Sequence, residues 1–138
     1  MKAPIALLTL SLVASGAVTR RRAVKFSGAQ ATVQGEKVAG VAEQDAATGA
    51  LVAVTAIGEM IVESGAAIAV GDDLIVDAQG RAIPSTGALA IKAGVTDVTS
   101  TAANGAGVLQ GAALPEFVFA RALEVAGAAG VRIRAVSV

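Results

Sequence analysis

Period-two alternation, interrupted every few residues by glycine-bearing turns, is the feature that most limits what this chain can form. Val131-Arg132-Ile133-Arg134-Ala135-Val136 places apolar and arginine side chains on opposite faces of an extended segment, the pattern of a strand with one wet face. Leu8, Leu10 and Leu12 alternate with Thr9 and Ser11 in the same way. Leu74-Ile75-Val76 and Arg81-Ala82-Ile83 flank Asp77-Ala78-Gln79-Gly80, a compact hairpin with its glycine placed for positive φ. Further strands are expected at 23–26, 38–42, 51–57 and 60–63, the last two broken at Gly58, and Phe117-Val118-Phe119 also reads as extended. Residues 66–70 and 120–126 fit helix or strand. Alanine favours helix, but so few residues hold one only with tertiary support. Short strands spaced this way predict an all-β chain: a small β-barrel or β-tulip-like domain with short hairpins and an extended N-terminal arm.

At 138 residues the chain has the size of one domain, expected over 1–138, with 1–17 as the arm. Lys2, the apolar run after it and Ala14-Ser15-Gly16-Ala17 have the outline of a secretory signal. The alternation, and Arg20-Arg21-Arg22 immediately afterwards, favour a strand with no cleaved signal. The run is too short to span a bilayer, so no membrane contact is expected. Residues 84–115 open on Pro84-Ser85-Thr86-Gly87 and turn small and polar around Asn104-Gly105, which predicts a long surface excursion suited to partner contact. Its apolar pieces at 88–91 and 108–109 are long enough for small strands.

One internal echo is present. Glu43 and Gly49 are spaced as Glu124 and Gly130 are, each pair spans an alanine-containing turn, and Val52 then matches Ile133. A duplication or two similar hairpins would each produce it.

The chemical inventory is thin. There is no Cys, which excludes disulfides and thiolate chemistry, and no His, which removes the usual general base and the commonest transition-metal ligand. Trp and Tyr are absent, and Phe occurs only at 26, 117 and 119, so stacking platforms for bases are lacking. Eleven basic side chains balance eleven acidic ones, which argues against direct nucleic-acid binding. A serine nucleophile would need one of Lys2, Lys25, Lys37 or Lys92 as its base, and no Ser-x-x-Lys motif is present. Glu36-Lys37-Val38 does not match the attachment hairpin of a lysine-modified carrier domain. Asp72, Asp73 and Asp77 lack calcium-loop spacing and read as solvated turn acids. Neither Glu59 with Glu63 nor Glu43 with Asp45 shows the convergence of a hydrolytic carboxylate pair. No enzyme activity, metal or cofactor is expected.

Hydrophobic residues make up 54% of the chain, but much of that is alanine, which buries little surface. A thin core predicts further burial against neighbouring subunits. Candidate contacts are Leu8, Leu10 and Leu12 on the arm, Arg20, Arg21 and Arg22 as a basic edge, and Arg132 and Arg134, which share a strand face and could meet acids across a subunit boundary.

Three stretches resemble the capsid cement, or decoration, family of tailed phages: Val38-Ala39-Gly40-Val41-Ala42, the turn and Val-rich strand from Asp45 to Val54, and the run from Val62 to Leu74, whose last piece continues as Val70-Gly71-Asp72-Asp73-Leu74-Ile75-Val76-Asp77-Ala78-Gln79-Gly80-Arg81. Arg121-Ala122-Leu123-Glu124 with Gly130-Val131-Arg132-Ile133 is similar to that family's closing hairpin. The likeness covers 18–83 and 117–136; the leucine-rich start and the length of 84–115 depart from it. The resemblance implies a homotrimer on the outer surface of the virion, bound to major capsid protein of the HK97-type fold and bridging neighbouring subunits. Another virion or surface β-protein, such as a tail or adhesin module, is the alternative, with a carboxylate hydrolase behind it.

Overall fold

The computed structural model describes residues 4–86 and 116–138, together with four two-residue strands between them. The strands are β1 (Ala6–Val13), β2 (Ala23–Val24), β3 (Gly40–Ala42), β4 (Leu51–Glu63), β5 (Asp73–Val76), β6 (Ala82–Pro84), β7 (Ala90–Ile91), β8 (Thr99–Ser100), β9 (Leu109–Gln110), β10 (Ala112–Ala113), β11 (Ala120–Ala122) and β12 (Arg132–Ser137). No helix occurs among the described residues, so the chain is all-β as expected. The ambiguous segments resolve accordingly: 120–122 is strand, and Ile68 makes a single antiparallel bridge to Ala126.

The main sheet runs β2-β3-β4-β12-β11-β5-β6, with β1 also paired to β4. It curls until its ends almost meet. Ala23 N–H donates to the Gly80 carbonyl at 2.7 Å and Gly35 N–H to the Val76 carbonyl at 2.9 Å, which ties the β2 side to the β5–β6 hairpin. Within the 84–115 excursion, β7 pairs with β10 and β8 with β9, so the short strands expected near 88–91 and 108–109 are present; apart from these strands and residues 84–86, that excursion lies outside the described residues.

Register shows that the echo belongs to a structural repeat. Val13 pairs with Leu51 and Leu12 with Val52; Glu63 pairs with Arg132 and Val62 with Ile133. Ala23 pairs with Val41, as Asp73 does with Arg121. Val41 pairs with Thr55, as Arg121 does with Val136. The bridge Val18–Ala46 has its twin in Ile68–Ala126. Matched positions are therefore 50 apart in the first two strands of each half and 80 or 81 apart in the last two. The extra thirty residues fall in the connection from second to third strand, where the second half holds the 84–115 excursion. The sequence echo was one residue out at its start: the twin of Glu43, whose N–H meets the Ala53 carbonyl, is Leu123, whose N–H meets that of Arg134.

The halves share β4. Leu51–Ile57 is the last strand of the first half, and the stretch after it is the first strand of the second. The break expected at Gly58 is absent, because that residue bends the strand without ending it. Its φ is 109°, and a Cβ there would lie 2.6 Å from the Ile5 carbonyl oxygen and 2.7 Å from the Leu7 nitrogen. Only glycine admits β1 at this distance. The N-terminal segment is thus extended, and its strand partner is the chain's own β4.

Inward-facing side chains form one main cluster of sixteen residues, seven of them alanine, including Met60, Val62, Leu74, Val76, Phe119 and Ile133. A smaller cluster of Ala14, Val18, Val24, Ala42, Val52 and Val54 lies beneath β1, with Leu12 packed on it. The core is thin, as the alanine content implied. Gly58→Ala is expected to lower the unfolding free energy by at least about 2 kcal/mol, through left-handed strain and loss of β1. Gly16→Ala, where an added Cβ meets nothing within 4 Å, should stay near neutral. Urea denaturation of the two variants measures the contrast.

Candidate functional site

All three phenylalanines gather at one place. Phe26, Phe117 and Phe119 line a groove of about 300 Å³ together with Leu8, Leu10, Val38, Ile57, Met60 and Val138. The groove sits on the seam between the repeats, since Val38 and Val118, Ile57 and Val138, and Leu10 and Met60 occupy matched positions. Phe119 forms its floor at 7% exposure, while Phe26 at 64% and Val138 at 69% form its rim. Phe117 N–H donates to the Gly35 carbonyl at 2.8 Å, and Lys37 lies 5.7 Å from its ring centroid, within cation–π range. Ile5, just before β1, and Leu7 on that strand are also exposed. Apolar grooves with exposed rims are a common form of contact surface in small proteins.

Of the arm leucines, Leu8 and Leu10 reach this groove and Leu12 turns inward to the smaller cluster. Sequence reasoning did not single out the aromatic trio as contacts. The one local signal was the Phe-x-Phe spacing at 117–119; the convergence with Phe26 comes from strand order alone.

The three consecutive arginines have three different fates. Arg20 is exposed, and its N–H donates to Asp45 Oδ1 at 2.7 Å. Arg22 pairs with Glu63 at 3.3 Å and donates to the Gln79 carbonyl at the same distance. Arg21 is buried at 6% exposure with a φ of 67°. Its Nε has no hydrogen-bond partner, alone in this among buried side-chain polar atoms of the described residues. Burial lowers its proton affinity and Arg20 lowers it further; Glu43 opposes and Arg132 adds to the depression. Arg134 finds its acids within the chain, at 2.9 Å from Glu124 and 3.6 Å from Glu59. That contact holds its guanidinium above the ordinary arginine value, with the Glu124 hydrogen bond the main cause. Arg132 is exposed at the start of β12.

Asp77 is not the solvated turn acid the sequence suggested. It is buried, its Oδ1 accepts from the Gln79 and Arg81 amides, and its Oδ2 pairs with Arg81 at 2.9 Å. The Asp-x-x-Gly-Arg stretch is thus a self-clamping hairpin, which uses the carboxylate structurally. Asp72 caps its own turn through the Ala69 amide, and Asp73 pairs with Arg121. Among the described residues no three His, Cys, Asp or Glu side chains group as a metal site would need.

A family model described as phage cement protein matches residues 4–136. No curated protein sequence matches the chain. Among solved structures it is similar to the N base of head fiber gp8.5 in bacteriophage phi29, at 22% identity and a TM-score of 0.60, over 95% of this chain and 93% of that one. The two share a fold.

The groove's floor and rim should separate on mutation. Phe119→Ala is expected to cost about 3–5 kcal/mol of folding stability by opening a core cavity. Phe26→Ser should stay within about 0.5 kcal/mol of the parent. Thermal unfolding of both checks this.

Proposed function

Since this chain belongs to the phage cement protein family, we propose that it acts as a virion structural protein that binds the outer surface of the assembled capsid and cements neighbouring major capsid protein subunits. The family match over nearly the whole chain carries this reading, and the surface supports it. A charge-balanced protein with a thin core presents an apolar groove, and covering that groove with a partner adds burial the chain lacks alone. The groove residues Leu8 and Leu10, with the arginine turn at 20–22, are the surfaces assigned to the shell. Major capsid protein of the HK97-type fold is the partner, and a homotrimer at local threefold positions is the bound form. A ligand that binds the closed shell and not its free subunits stabilises the shell by mass action. The role is structural, without catalysis.

Cryo-electron microscopy of virions should place this chain on the outer shell between capsomers; density in the tail or inside the shell would overturn the reading. In a second measurement, shells stripped of the protein should release DNA at lower temperature than loaded shells, and re-addition should restore the difference. Phe26→Ser protein, folded but with its groove rim altered, should restore it less well.

A further inference from the structure

We propose that Arg21 is a socket for a carboxylate of the capsid partner, an Asp or Glu side chain received by its guanidinium. The inference rests on the cement reading and adds the chemistry of one contact.

The backbone argument comes from the structural repeat. Arg21 and Gly71 occupy the same turn in the two halves: Arg21 N–H donates to the Ala42 carbonyl as Gly71 N–H does to that of Ala122. Both have positive φ, 67° and 88°. The second half uses the residue that such a backbone favours, whereas Arg21 is the only non-glycine with positive φ among the described residues. A Cβ at Gly71 would meet nothing within 4 Å, so the turn itself asks for no side chain. Arg21 holds a strained position that its own fold fills with glycine elsewhere.

The side-chain argument is independent. A buried guanidinium normally has a carboxylate, and even the more exposed Arg22, Arg81 and Arg134 each have one. Arg21 is buried, its Nε is unpartnered, and no carboxylate of the described residues pairs with it. Glu43 is the nearest acid by its effect, yet its Oε1 is engaged by the Thr55 hydroxyl. Arg20 and Arg132 are the other charges felt at Arg21, and both are positive. A desolvated cation with no ion pair is costly in the free protein, and an arriving anion relieves that cost. A planar fork matches a carboxylate in two-point geometry. Backbone strain and a buried cation without a carboxylate coincide at this one residue, and a partner's carboxylate would supply the missing counter-charge.

The test is Arg21→Gly, which copies the other half. The free variant should unfold about 2–6 °C higher, because strain and buried charge are both removed. Its retention on shells stripped of the protein, measured by co-sedimentation, should fall at least about tenfold. Arg21→Lys, which keeps the charge and loses the fork, should fall between. Wild type retained and Arg21→Gly retained equally would overturn the socket and leave the cement reading intact. No retention of the wild type would instead sink that reading. A variant less stable than the parent would make Arg21 a fold-holding residue and overturn the proposal. So would a changed oligomeric state of the free variant, or tight binding of wild type to duplex DNA that the variant loses.

Discussion

Strand β4 is hydrogen-bonded to β1, β3 and β12, and among the described residues no other strand belongs to both halves of the molecule. Its continuity depends on a close backbone approach at Gly58, where β1 passes within a distance that excludes any Cβ. Register then propagates outward, since a one-residue slip in a strand exchanges its faces. Val52 and Val54 reach the smaller cluster, and Met60 and Val62 reach the larger one. The two cores are filled from one strand on either side of one glycine.

Alanine sets the other limit. With alanine at seven of sixteen positions in the main cluster, strands approach closely but each side chain removes little surface from water. Larger apolar side chains, Phe26, Leu7 and Val138 among them, lie outside. Part of the large apolar surface is thus left outside the core, which agrees with membership of the phage cement protein family.

Strand identity was readable where one face is wet, as in β12, because alternation is written directly in the side chains. The Asp77–Gly80 hairpin was readable for a similar reason, its chemistry being local. The continuity of β4 was not, since a glycine in a run signals either a stop or a bend and the backbone angle decides. The repeat was half readable: glycines at 49 and 130 keep their turns, while the intervening side chains differ and the long insertion hides the period. The aromatic groove was not legible, because Phe26 and Phe117 meet only through strand order. The separate fates of Arg20, Arg21 and Arg22 were equally hidden, because consecutive identical residues carry no sign of which one is folded inward.

A strand that ends one unit and begins the next needs no linker. Linked modules are usually joined by a flexible tether and can drift relative to each other, but here the joint is itself a strand of both halves. The rule is open-ended in principle, since any final strand prolonged past the position matching Gly58 supplies the opening strand of another unit. Growth by that route would lengthen the protein as a stiff ribbon wound on itself, with each added unit held in a fixed orientation to the last.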